Sequence, residues 1–185
     1  MAVLIEELEK EVNERIRLGE KLEELATTDG LTGVLNRRRF DDVLSEEWQR
    51  WSRYGNTFAL LLIDIDHFKS INDTHGHMTG DEVLRRLGKT LREVVRTEDT
   101  VARYGGEGFA VVAVGAGRES AVELARRLRD GIRDTPMPDP VGAITVSLGI
   151  SSASEDVQSA AELINQADEA LYRAKKNGRD RFEIF

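Results

Sequence analysis

Two apolar segments, Thr100-Val101-Ala102 and Phe109 to Val114, close on the run Arg103-Tyr104-Gly105-Gly106-Glu107-Gly108. Strands joined by so short a glycine-bearing link pair with each other, because glycine takes the positive φ that tight hairpin turns need. The Gly105-Gly106 pair is therefore expected at the turn. A carboxylate, Glu107, stands beside it. Glycines at that point let a large ligand approach the backbone, and a carboxylate can hold a hard cation in the same place.

The other periodicities complete an α/β chain. Asn36 to Arg53 reads as a helix with Phe40, Val43, Leu44, Trp48 and Trp51 inward, and Thr57 to Ile63 as a buried strand. Gly80 to Val95 carries Val83, Leu84, Leu87, Leu91 and Val94 on one helical face, and Ser120 to Arg133 carries Val122, Leu124, Ala125, Leu128 and Ile132. Ile144, Val146, Leu148 and Ile150 alternate along a strand from Ala143 to Ile150. Ser159 and Glu162 have the spacing of a capping box, Asn177-Gly178 stops the helix so opened, and Arg181 to Phe185 makes a last short strand. Strands and helices alternate, yet two strands form a hairpin, so a mixed sheet is expected.

Residues 1–27 stand apart as a helix with few turn signals. Ile5, Leu8 and Val12 recur at heptad spacing, as do Leu18, Leu22 and Leu25, the two stripes being out of phase. One reading is a dimerising helix that passes a signal into the domain 28–185. The other is an amphipathic helix packed on its own domain.

Composition excludes several classes. There is no cysteine, hence no disulfide or thiolate metal site, which fits a reducing, cytoplasmic setting. The longest apolar run, Phe58 to Ile63, is too short to cross a bilayer, and the acidic N-terminal segment does not read as a leader. No membrane contact is expected. A formal net charge of −8 argues against broad nucleic-acid binding, but a nucleotide needs only a few local cations and a metal.

Several residues have the chemistry of a site. Asp64-Ile65-Asp66 ends the buried strand, where carboxylates either hold a hard cation or are simply solvated. Lys69 offers a point charge for phosphate, and Asn72 an amide donor and acceptor. Asp81 offers a carboxylate that can accept from N1 and N2 of guanine, or that caps a helix. His75 and His77 lack a third ligand and read as loop residues, not zinc ligands. Lys175 and Arg179 either meet an anion or complement a helix C-terminus. Arg96 and Asp99 read as a ligand site or as an exposed ion pair at a helix end.

Gly105-Gly106-Glu107-Gly108-Phe109 resembles the signature loop of the GGDEF family of diguanylate cyclases, whose pattern is Gly-Gly, Asp or Glu, Glu, Phe. Four further stretches resemble that family in the same order. They are Thr28 to Arg38; Phe68-Lys69-Ser70-Ile71-Asn72-Asp73 with Gly76-His77-Met78-Thr79-Gly80-Asp81; Arg96-Thr97-Glu98-Asp99; and Ala167 to Arg179. At one position the chain departs, with Gly108 where the family has a second acid.

The resemblance implies a five-stranded mixed sheet flanked by helices, like nucleotidyl cyclase and polymerase palms. It implies condensation of two GTP into cyclic di-GMP, with a homodimer bringing two half-sites together through the N-terminal helix. Asn72 and Asp81 would read guanine. The phosphates would lie against the backbone from Ile65 to Phe68 and Gly106, near Lys69, Lys175 and Arg179. Asp64, the Ile65 carbonyl and Glu107 would ligate magnesium or manganese. Arg96 and Asp99 would bind the product as feedback, with Arg126 or Arg127 assisting. Gly108 admits alternatives: a slow cyclase, or a binding module for cyclic di-GMP or GTP. A cyclase making a mixed dinucleotide is disfavoured by Asp81, and a purely structural dimerisation domain would bind no nucleotide.

Overall fold

The computed structural model describes residues 11–18 and 26–185. Residues 11–18 are helical, with Val12, Ile16 and Leu18 exposed. Ile5, Leu8, Leu22 and Leu25, the rest of the heptad stripes, lie outside the described residues. The domain then runs α1 (Arg37–Tyr54), β1 (Phe58–Ile65), α2 (Phe68–His75), α3 (His77–Val94), β2 (Thr100–Gly105), β3 (Gly108–Val114), α4 (Arg118–Asp134), β4 (Val146–Ser152), α5 (Ala160–Lys176) and β5 (Arg181–Ile184). Among the described residues, no helix is long and apolar enough to cross a membrane.

The sheet is mixed, as the hairpin requires. Its order is β2-β3-β1-β4-β5, with β4 and β5 parallel and the other pairs antiparallel. β1 lies at the centre and is apolar on both faces because helices cover both. Ala59, Leu61, Ile63 and Ile65 meet Leu84 and Leu87 of α3 and Leu124 and Leu128 of α4. Phe58, Leu60 and Leu62 meet Phe40 and Leu44 of α1 and Leu163, Ala167 and Leu171 of α5. Strand alternation therefore sends Asp64 to the α1/α5 face. Its antiparallel partner across β3 is Gly108, on that same face.

Helix α5 lies very close to the sheet. A Cβ on Gly149 would fall 2.0 Å from the Ala167 carbonyl oxygen and 2.3 Å from the Leu171 nitrogen. Only glycine allows that approach.

Four local expectations change. The stretch from Phe68 to His75 forms a helix, and Gly76 at φ 84° separates it from α3. His75 and His77 consequently end one helix and begin the next. Helix α3 opens at His77, so Asp81 sits in its second turn and is not an N-cap. Strand β4 runs from Val146 to Ser152, later than its alternation suggested. The hairpin turn is Gly106-Glu107, since Gly105 pairs with Gly108. Its positive φ is confined to Gly106, at 45°. At α5, Ser159 Oγ accepts from the Glu162 nitrogen at 3.1 Å, while Glu162 returns to the nitrogen of Gln158 at 2.7 Å.

Candidate functional site

Three elements converge where β1 ends. β1 brings Asp64 and the Ile65 carbonyl, the hairpin turn brings Glu107, and the last turn of α5 brings Lys175. Lys175 Nζ lies 2.9 Å from Asp64 Oδ1. Burial pushes the Asp64 carboxyl above its ordinary value; Lys175 opposes the shift, and the charges of Glu107 and Asp66 add to it. A half-buried carboxylate next to a second carboxylate favours an added cation. Asp64, the Ile65 carbonyl and Glu107 would offer oxygen alone, the donor type that a hard divalent ion takes. Among the described residues, however, no cluster of three or more His, Cys, Asp or Glu side chains could hold a metal. The set fits magnesium only when a ligand's phosphate oxygens complete it.

Gly108 accounts for part of that deficit. Its φ lies outside the left-handed region, and a Cβ there would stand 3.2 Å from the Gly105 carbonyl oxygen and 3.8 Å from that of Ile63. The backbone does not demand glycine. A longer side chain at 108 would leave the sheet on the α1/α5 face, beside Asp64. Asp66, the other strand-end carboxylate, is buried, and its oxygens are taken up within the protein. It accepts from Ser147 Oγ, Thr145 Oγ1 and the Asp180 nitrogen.

A second group follows along the chain. His67, at φ 58°, turns β1 into α2. The first N–H groups of that helix, at Phe68 and Lys69, have no acceptor within it and suit an anion. Phe68 is buried and Lys69 exposed. Asn72 Oδ1 is buried and has no hydrogen-bond partner. It lies against Gly80, where a Cβ would be 1.9 Å away. That contact explains a glycine inside α3, and it places Asn72 one residue from half-buried Asp81. Arg179 is exposed just beyond α5.

Arg96 and Asp99 lie at the opposite end of the hairpin. Six residues of β2 separate them from the Gly106-Glu107 turn, about 20 Å of extended chain. They do not form an ion pair. Asp99 accepts from the backbone nitrogens of Arg96 and Val114, at 3.0 and 3.1 Å. Arg96 lines two cavities, one of about 320 Å³ beside Gly33 and Arg92, the other of about 150 Å³ beside Ser120 and Arg127. Of the two assisting arginines considered, Arg127 shares the smaller cavity and donates to the Val94 carbonyl. Arg126 is paired with Glu123 at 2.7 Å.

Sequence reasoning missed Arg103. Its Nε and Nη2 donate to the Gly106 carbonyl oxygen at 3.0 and 2.8 Å, and its Nη1 reaches Asp29 at 3.2 Å. Burial alone would raise the Asp29 carboxyl, but hydrogen bonds from Thr32 and the Arg103 guanidinium hold it below its ordinary value. The hairpin turn is thus fastened to the loop that precedes α1. Arg37 adds a second fastening, its guanidinium stacked 3.6 Å from the Tyr104 ring centre. An arginine two residues before a glycine pair was the available signal, but its carboxylate partner lies 74 residues away.

Comparison with known proteins gives concordant matches. The family described as "Diguanylate cyclase, GGDEF domain" matches residues 26–181. The chain is 39% identical over 165 residues to the probable diguanylate cyclase DgcC of Escherichia coli, covering 89% of this chain and 44% of that protein. It is 42% identical over 162 residues to the diguanylate cyclase DgcP of Pseudomonas aeruginosa, covering 86% of this chain and 24% of that protein. The chain thus spans less than half of either relative. Among solved structures, it resembles the coiled coil and GGDEF domain of DgcB from Caulobacter crescentus in complex with c-di-GMP. The TM-score is 0.86 at 35% identity, over 98% of this chain and 99% of that one. The active GGEEF domain of a diguanylate cyclase from Vibrio cholerae matches with a TM-score of 0.78 at 35% identity, over 81% of this chain and 96% of that one.

Proposed function

The chain belongs to the GGDEF family of diguanylate cyclases, and from that membership we propose that it joins two GTP into cyclic di-GMP with release of two pyrophosphates. Each domain of a homodimer would hold one GTP, and the product would restrain the enzyme through Arg96 and Asp99. The observation that carries this reading is the orphaned Asn72 Oδ1. A buried acceptor without a donor is costly, and a guanine edge supplies donors at N1 and N2. Asp81, one residue from its contact point, accepts the remaining donor. Adenine offers no such pair.

Lys69, Lys175, Arg179 and the open N-terminus of α2 take the triphosphate. Lys175 already lies at Asp64, and its flexible stem lets it reach from that carboxylate toward a phosphate oxygen. A magnesium or manganese ion held by Asp64, the Ile65 carbonyl and Glu107 would acidify the 3′-hydroxyl and offset charge at the α-phosphate. The α1/α5 side of the sheet keeps Asp64 partly out of water, so charges placed there act strongly. Residues 1–27 would raise the local concentration of the partner half-site.

A second reading rests on Gly108 and the Asp64–Lys175 pair: a domain that binds GTP or cyclic di-GMP with little turnover. Mass spectrometry of the products formed from GTP and magnesium separates the two. Cyclic di-GMP formation supports the cyclase. Unconsumed GTP together with measurable nucleotide binding supports the binding module.

Gly80→Ala is expected to spare the fold and damage recognition. The main obstruction is the end of the Asn72 side chain, which can swing aside, while Phe68 Cζ at 3.2 Å must give by a few tenths of an ångström. The melting temperature should stay within a few degrees while affinity for GTP falls about tenfold, the scale of one lost hydrogen bond to a buried group. Calorimetric titration at unchanged affinity would remove Asn72 from base recognition.

Arg96→Ala should reduce cyclic di-GMP affinity at least about a hundredfold, because Arg96 lines both cavities and has no ion-pair partner among the described residues. Retention of tight product binding in titrations would sink the inhibitory assignment.

A further inference from the structure

We propose that Asp66 is a positioning residue for phosphate binding, setting the place of Arg179 through the Asp180 backbone nitrogen. This rests on the reading of Arg179 as a phosphate contact.

Asp66 is only 5% exposed and its two oxygens accept three hydrogen bonds. Oδ1 takes Ser147 Oγ at 2.7 Å, and Oδ2 takes Thr145 Oγ1 at 2.7 Å and the Asp180 nitrogen at 3.0 Å. The two hydroxyls come from β4 and the residues leading into it. They fix the carboxylate against the sheet, and the carboxylate in turn fixes the chain beyond α5.

That chain needs fixing. Arg179 and Asp180 have φ values of 62° and 47°, a region that residues with a Cβ rarely adopt singly and here adopt in succession. The Arg179 nitrogen donates to Ala174 at 3.0 Å, and Asp180 Oδ2 is held by Arg133 at 2.5 Å. Asp180 Oδ1 is buried without a partner. A segment with left-handed backbone and an orphaned buried oxygen persists only when its surroundings over-determine it. The Asp66 bond reaches it from the core. Arg179 is the exposed residue between the Ala174 and Asp66 attachments, so its guanidinium starts from a backbone held at both sides.

Asp66 also lies two residues beyond Asp64. One strand end therefore supplies the carboxylate that faces the metal-suited oxygen set and the carboxylate that sets a phosphate cation. The spacing between metal oxygens and cation is built into three consecutive residues.

The test combines hydrogen exchange with a double-mutant cycle. Asp66→Ala should speed amide exchange across residues 177–180 while leaving β1 and β3 protected. With a non-reacting α,β-methylene analogue of GTP plus magnesium, Asp66→Ala should weaken binding about tenfold, the scale of a displaced charged contact. Added to Arg179→Ala, it should cause almost no further loss. Additive losses in the double variant, or unchanged exchange at 177–180, would overturn the proposal. If the wild-type chain fails to bind the analogue, the nucleotide reading falls, and exchange alone decides whether Asp66 sets this segment. Should Asp66→Ala fail to fold, Thr145→Val removes the hydroxyl that shares Oδ2 with the Asp180 nitrogen, loosening the carboxylate while leaving the backbone of Asp180 and its Arg133 contact in place. The same non-additivity with Arg179→Ala is expected, and additivity there counts equally against it.

Discussion

Replacing Gly108 by glutamate is expected to raise cyclic di-GMP formation by roughly two to three orders of magnitude, the usual worth of one positioned electrostatic group. Position 108 pairs directly with Asp64 across β1 and β3, so its side chain would stand beside that carboxylate. The backbone there is ordinary, and the nearest obstruction to a Cβ is the Gly105 carbonyl oxygen at 3.2 Å, which a shift of a few tenths of an ångström relieves. The added carboxylate would compete for Lys175, which now has Asp64 alone as an ion-pair partner among the described residues. It would also contribute oxygen to a site that has too few of its own. Initial rates of product formation from GTP and magnesium, with melting curves as a control, check this. Equal rates in both proteins at equal stability would show that a second acid is dispensable on this scaffold.

Gly149→Ala should cost stability on a comparable scale. The new Cβ would meet the Ala167 carbonyl oxygen at 2.0 Å and the Leu171 nitrogen and Cα at 2.3 and 2.8 Å. These are backbone atoms of α5, and no side-chain rotation relieves them. The helix must lift from the sheet, separating Leu163, Ala167 and Leu171 from Leu60 and Leu62. Overpacking of this kind costs about 3–5 kcal/mol, or roughly 10–15 °C in melting temperature for a domain of this size. Gly30→Ala, which meets nothing within 4 Å, is the neutral comparison. A melting temperature for Gly149→Ala equal to that of Gly30→Ala would mean that α5 does not lie this close to β4. Because α5 also carries Lys175, the same substitution should pull that ammonium away from Asp64.

Much of this architecture is legible in the sequence because burial leaves a period. Thr57 to Ile63 reads as a buried strand since both of its faces are covered, and the faces of α3 and α4 show their apolar spacing plainly. The hairpin is marked by glycine. Helix α2 is harder to read because it is short and mostly polar, its one buried residue being Phe68. Gly80 reads as a boundary because glycine disfavours helices, yet it lies inside α3 to make room for Asn72. Asp64 and Asp66 look equivalent as letters. Only the third dimension assigns one to a face with Lys175 and the other to a buried hydroxyl pair. Lys69, Asn72, Asp81, Lys175 and Arg179 were named by motif, and the motif is silent on what holds them. Asp29 with Arg103, and Asp66 with Asp180, are contacts between distant positions, and such pairs leave no local pattern.

The paired hydrogen bonds from Arg103 to the Gly106 carbonyl oxygen have a mechanical consequence. Guanidinium groups are rigid and planar, so the two hydrogen bonds and the bond to Asp29 behave as one stiff bracket. The turn bearing Glu107 is thereby braced against the first loop of the domain, only a few residues beyond the N-terminal helix. Any displacement of that loop would be passed to Glu107 through a single guanidinium.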